Sequence, residues 1–235
     1  AYPIQEVQIT QGNLTWKNIS VRNSNQHHTI DIEQILSERP DISIKKDGTP
    51  QVLLYHTQSS ESYLKEESDT YYSDMPTRSQ DETENIMSVG EVIAKKLEAA
   101  GIGVIHDKTY HDYPAYNGSY TRSAETIRKN LEKYPSIQVT IDIHRDAISG
   151  QNGERKKPTA VVNGKKAAQV MILNGCDDDG TLGYPDWEQN LRFSMRLQQA
   201  CEAYENNFAR PLTFSPTKYN QNLTHGSILV EFGTE

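Results

Sequence analysis

The chain has 235 residues, enough for one α/β domain or two small ones with a buried core. Its 32 acidic and 24 basic side chains give a net charge of −8, and no basic stripe offsets it, which argues against a nucleic-acid partner. Only 35% of residues are hydrophobic and the longest apolar runs are strand-length, so nothing reads as membrane-spanning, and two cysteines are too few for a disulfide framework.

The chain begins at Ala1 with no signal peptide and reads as a piece of a longer protein whose targeting segment is removed. Residues 1–50 are polar, with short β-like stretches at 4–10 and 18–21 and a helical one at 29–36. His27 and His28 are adjacent, so they point apart on any regular element, and the stretch reads as a solvated loop. Asp47-Gly48-Thr49-Pro50 is a turn that launches a strand, Gln51 to Tyr55, which ends at His56. A long polar loop follows to Gln80. Ser79 and Glu82 have capping-box spacing before an amphipathic helix with the stripe Ile86, Val89, Ile93, Leu97 and Ala100. Gly101 is its C-cap, and residues 102–105 form the next strand.

Residues 106–116 read as an exposed loop, His106 and His111 included. Tyr120, Ala124, Ile127 and Leu131 mark a second helix, stopped before Pro135. It feeds a strand of alternating polarity from Ile137 to Ile143, which delivers His144, Arg145 and Asp146 at its end. Residues 160–162 and 170–173 flank the hairpin signal Asn163-Gly164, with Lys165-Lys166 shifting the register. An acidic loop, 177–184, precedes a third helix capped by Asp186 with Gln189, whose stripe places Cys201 toward the core. Residues 212–214 and 228–230 are the last strands, and the final one runs into Glu231. Strand–helix–strand units of this kind specify a single α/β domain, 51–235, on a mixed, mostly parallel sheet with helices on both faces; residues 1–50 form an extension that packs on it.

In such sheets chemistry collects outside the carboxyl ends of the strands, where His56, His144 and Glu231 all fall. Imidazoles and a carboxylate are donors that Zn²⁺ takes, with an open position for water. His56 and His144 are the imidazole candidates and Glu61 the nearest carboxylate, with Glu231 free to take a proton from bound water. Arg145 either binds a substrate carboxylate or pairs with Asp146.

The blocks Tyr55-His56-Thr57-Gln58-Ser59-Ser60-Glu61-Ser62-Tyr63, Ile141-Asp142-Ile143-His144-Arg145-Asp146, Tyr219-Asn220-Gln221 and Leu229-Val230-Glu231-Phe232-Gly233-Thr234, with Gly101 to Thr109, resemble the stage II sporulation protein P family, itself similar to zinc-dependent N-acetylmuramoyl-L-alanine amidases. The resemblance implies a Zn²⁺ peptidoglycan hydrolase that removes stem peptides, with a second cut in the peptide cross-links, acting at the sporulation septum during forespore engulfment. It implies stage II sporulation proteins D and M as partners and an N-terminal membrane anchor absent from this chain. On the family pattern His56 and His144 match the zinc histidines and Glu231 the catalytic glutamate. Glu61 is the third ligand, with Glu82 as the alternative, since the wider amidases place theirs near the start of the next helix. Arg145, with the loops after His106 and Gly150, would hold the stem peptide. Gln58 departs from the family, which has a second histidine there. A peptidase confined to cross-links and a wall-binding module without activity are the competing expectations.

Overall fold

A computed structural model describes residues 1–235 as one α/β domain. Its main sheet has eight strands. In chain order these are β2 (Leu14–Trp16), β3 (Ile19–Asn23), β4 (Pro50–Tyr55), β6 (Gly103–His106), β7 (Val139–Asp146), β10 (Val170–Gly175), β11 (Leu212–Ser215) and β12 (Gly226–Thr234). Across the sheet they lie in the order β2-β3-β11-β10-β12-β7-β4-β6. A smaller sheet orders β5 (Thr70–Tyr71), β1 (Tyr2–Val7), β8 (Arg155–Val162) and β9 (Lys165–Ala168) as β5-β1-β8-β9.

Five of the seven pairings in the main sheet are parallel, and only β2 with β3 and β10 with β12 run antiparallel. The β10–β12 reversal divides the sheet. The strands β12, β7, β4 and β6 carry their carboxyl ends to one edge, and β3, β11 and β10 carry theirs to the opposite edge.

Four helices cover the sheet: α1 (Ile32–Ser37), α2 (Met87–Ala99), α3 (Ser119–Lys133) and α4 (Trp187–Tyr204). Ala94 of α2 and Ile86, just before it, pack on Val52, Leu54, Val139 and Ile143. On the same face α4 packs Leu191 and Met195 against Ile172, Ile228 and Val230. On the other face α3 sets Ile127 on Leu53 and Tyr55. Neighbours in one strand therefore point to opposite faces, as a pleated strand requires. No helix is long and apolar enough to cross a membrane.

Several local expectations shift. The capping box at Ser79 and Glu82 does not form: the loop runs on to Asn85, and Ile86, which makes no side-chain cap bond, precedes α2. Ser79 instead accepts from the Asp81 amide. Asn163-Gly164 does close a hairpin, with both residues at positive φ, but the returning strand is Lys165–Ala168 rather than 170–173. Residues 170–173 leave for the main sheet as β10. The N-terminal 50 residues contribute β1 to the small sheet and β2 and β3 to the end of the large one. Asp186 is the residue before α4 but makes no side-chain cap bond.

Helix α2 approaches the sheet closely at Gly90. A Cβ there would lie 2.6 Å from His106 Nε2 and 2.9 Å from His56 Cε1. Alanine normally stabilises a helix interior by about 1 kcal/mol over glycine. Overpacking a buried site costs ~1–3 kcal/mol. Because the two imidazoles are held between strands and helix, we expect Gly90→Ala to lower the stability measured by urea unfolding. A net gain would show that the rings move aside freely.

Candidate active site at the carboxyl edge

Strand β7 pairs in parallel with β12, setting Glu231 beside His144 and Ser227 beside Thr140. Alternation then places Thr140, Asp142 and His144 on the face that carries α3, together with Leu229 and Glu231. On the neighbouring strand Tyr55 is level with Asp142. His56, one residue further on, is directed to the other face, under α2.

The His144 ring lies between two carboxylates, with Nε2 2.9 Å from Asp142 Oδ1 and Nδ1 3.4 Å from Glu61 Oε2. Burial disfavours its charge, but Asp142 and Glu61 outweigh that and hold its pKa well above the ordinary imidazole value. Asp142 is likewise buried, which opposes its charge, yet His144 and two bonds from Thr57 keep its pKa low. Glu231 has a different environment. Its Oε2 is buried with no hydrogen-bond partner. Burial pushes its carboxyl up to about 8, His144 and Arg210 pull it back, and Asp146 and Glu61 push it further up.

Glu61, His144 and Glu231 line a cleft of about 430 Å³, with Gln58, Arg78, Tyr116, Tyr120 and Tyr219 on its walls. Tyr120 and Tyr219 pack at 5.3 Å between ring centroids. Tyr219 and Asn220 both have positive φ, 47° and 58°, a conformation that costs energy outside glycine. Asn220 Nδ2 donates to Tyr120 O and to Ser123 Oγ, which ties this bend to α3. A larger cleft, about 500 Å³ beside residues 62–68, contains no histidine.

The structure brings Glu61, His144, Arg145 and Glu231 together and leaves His56 out. His56 Nδ1 faces Ile143 O at 3.1 Å and its Nε2 lies 2.8 Å from His106 Nε2. Burial first, then His106, lowers its pKa to about 3. His56, Glu61 and His144 do not form a cluster of donor atoms within 4.8 Å of one another. The expected three-ligand set therefore does not close, because two adjacent strands offer the two histidines to opposite faces. Glu82, the alternative carboxylate, pairs with Lys108 at 3.1 Å on the exposed surface.

Arg145 is also placed differently from the expected substrate contact. Its Nε donates to Ser62 O at 2.9 Å, one terminal nitrogen to Thr77 O at 2.6 Å and the other to Asp146 O at 3.3 Å. The guanidinium thus straps the loop after β4 onto β7. Asp146 pairs with Arg210 at 2.8 Å instead. Gln58, which departs from the family histidine, donates to the Tyr116 hydroxyl and accepts from Arg78. Arg78 also pairs with the buried Asp112.

His106 and His111 are not exposed loop residues. His111 Nδ1 lies 2.7 Å from His56 O and its Nε2 2.8 Å from Thr126 Oγ1, joining the loop to α3. Nothing periodic marks His111 or Asp112, and only their clustering with tyrosines in residues 106–116 hints at burial.

An α/β domain with an acid–histidine cleft at the carboxyl edge of parallel strands is the class that fold and site define. A family model described as stage II sporulation protein P matches residues 3–235. The chain is similar to stage II sporulation protein P of Bacillus subtilis (strain 168), at 29% identity over 196 residues that cover 77% of this chain and 45% of that relative. The chain therefore spans less than half the length of the curated relative it matches. No solved structure matches it. The chain belongs to the stage II sporulation protein P family, a family of sporulation proteins.

Replacing Arg145 separates strap from substrate contact. A buried carbonyl left without a partner costs about 1–3 kcal/mol, and lysine cannot reproduce the guanidinium fork. We expect Arg145→Lys to lose ~2–3 kcal/mol in chemical unfolding. Unaltered stability with a raised KM would make Arg145 a substrate ligand.

Proposed function

We propose that this chain is a peptidoglycan hydrolase of the N-acetylmuramoyl-L-alanine amidase type, with the Glu61–His144–Glu231 cleft as its active site. The observation that carries the reading is the orphaned Oε2 of Glu231, buried in the same cleft as a carboxylate–imidazole pair. A polar atom kept buried and unpaired at a cost is expected where a substrate or water completes it. Family membership supports the substrate class, and forespore engulfment, the septal location and the partners D and M belong to the same proposal.

The donor chemistry suits a divalent cation. Asp142 and Glu61 flank the His144 imidazole, and an imidazole beside a carboxylate in the cleft wall is a donor pair that Zn²⁺ takes. Glu61 and His144 would hold Zn²⁺; His56, turned to His106, is not counted among the ligands. When bound, such an ion polarises the scissile carbonyl and lowers the pKa of water. Asp142 holds the His144 ring from behind, the orientation that carboxylates give to ligating imidazoles. Glu231 takes the proton of the attacking water and returns it to the leaving amine. The Tyr120 and Tyr219 rings form an apolar wall for the stem peptide.

Three variants test this on purified peptidoglycan. Glu231→Gln is expected to lower stem-peptide release by about 10²–10⁴-fold while keeping bound zinc. His144→Ala is expected to lose both activity and one equivalent of zinc, and His56→Ala to retain that zinc. Mass spectrometry should find glycan with free lactyl groups. Full activity in Glu231→Gln would remove it from the mechanism, and products cut only within the cross-links would replace amidase with peptidase.

A further inference from the structure

The pair His27-His28 reads as a solvated loop in the sequence, and neither cysteine has a partner at metal-ligand spacing. Folding changes both. The donor atoms of His28, Cys176 and Asp178 all lie within 4.8 Å of one another. We propose that these three residues form a second, structural metal site that takes a borderline-soft divalent cation, Zn²⁺ by its donor chemistry.

The donors come from two segments far apart in sequence. Cys176 and Asp178 follow β10, and His28 follows β3, two parallel-running strands whose carboxyl ends share one edge. That edge is opposite the candidate active site. Met171 is level with Glu231 on β10, so Cys176 lies five residues further along, roughly 17 Å at ~3.3 Å per residue. The two sites cannot share an ion.

Thiolate, imidazole and carboxylate are the three ligand types of zinc. Tetrahedral ligands at about 2.0–2.3 Å from an ion stand roughly 3.3–3.8 Å apart. Donors already within 4.8 Å need move inward by only ~1 Å to meet that geometry.

A supporting shell is in place. The Asp178 carboxylate accepts from the Gln26 amide at 2.8 Å and the His27 amide at 2.9 Å, and His27 Nδ1 stands 3.2 Å away. Three of its roughly four acceptor positions are then used and one remains. The His28 ring packs at 4.9 Å on Trp187, and Asn23 donates to His28 O. Asp177 accepts from the amides of Leu182 and Tyr184, which shapes the loop that carries Cys176 and Asp178. Hydrogen bonds and packing behind the donor side chains in this way orient metal ligands.

Other uses of the cluster fit less well. Cys176 is 0% exposed, so no substrate reaches its sulfur as a nucleophile. Both cysteines are free, so it is not half of a disulfide. His28 and Asp178 are half-buried, which leaves an open side for water as a fourth ligand. A bound ion would staple the segment between β3 and α1 to the loop before α4.

Cobalt titration of the chelator-treated chain tests the proposal, because only a cysteine-ligated site gives a near-ultraviolet thiolate-to-cobalt band. The band is expected in the unaltered chain, in His144→Ala and in Cys201→Ser. It should vanish in Cys176→Ser, and His28→Ala should bind cobalt at least tenfold more weakly. Zinc should raise the unfolding temperature of His144→Ala, since the second site remains. No band in the unaltered chain, or a band that survives Cys176→Ser, overturns the proposal. Should Cys176→Ser fail to fold, His28→Ala decides by the same readout. The proposed active site contains no cysteine, so its failure and this one are read separately.

Discussion

The parallel pairing of β7 with β12 is the constraint on which the rest depends. Its register sets Glu231 level with His144, and the pleat turns both to the face of α3. A shift of one residue would carry either side chain to the opposite face and dissolve the cleft. Burial on both faces makes such a slip costly. Ile228 and Val230 pack under α4, while Leu229 packs with Met171 and Leu173 on the other side. The core therefore holds the acid and the imidazole in place.

Around that pair the structure uses polar groups as rivets. The stretch after β4 is buried despite its composition, with Thr57 and Ser59 both 0% exposed. Each member finds a partner. Thr57 bonds Asp142, Ser59 Oγ donates to His56 O, and Ser60 bonds Asp112. Arg145 closes the set from β7. A buried polar network repays its desolvation only when satisfied throughout. The unpaired atoms stand out for that reason. His144 Nε2 meets Asp142 as an ion pair rather than a directed hydrogen bond, and Glu231 Oε2 meets nothing. Glu231 lines the cleft, whereas His144 Nε2 faces Asp142 behind it.

The reversal between β10 and β12 has a second consequence. It gives the sheet two edges that gather metal-type side chains rather than one. The first gathers Glu61, His144 and Glu231. The second gathers His28, Cys176 and Asp178, with α4 and Trp187 above them. The switch in strand direction thus separates the acid–histidine cleft from a cluster of metal-type donors by the length of a strand.

Local pattern was enough for the elements that depend on near neighbours. Alternation at residues 137–143, the stripe from Ile86 to Leu97 and the Asn163-Gly164 turn report forces acting over a few residues, and a strand (Val139–Asp146), a helix (Met87–Ala99) and a hairpin turn form there with shifted ends. Strand ends bearing His144 and Glu231 were legible for the same reason. The face each residue occupies was not. His56 and His144 look equivalent as strand-end histidines, yet the parallel register offset them by one residue and sent them to opposite sides. Arg145 became a strap because the loop carbonyls of Ser62 and Thr77 came to it, and His28 met Cys176 because β3 and β10 flank β11. By itself the sequence determined which residue types stand toward the carboxyl ends of which strands. Tertiary structure alone decided which of them meet, because pairing register and strand direction are set by contacts between segments far apart in the chain.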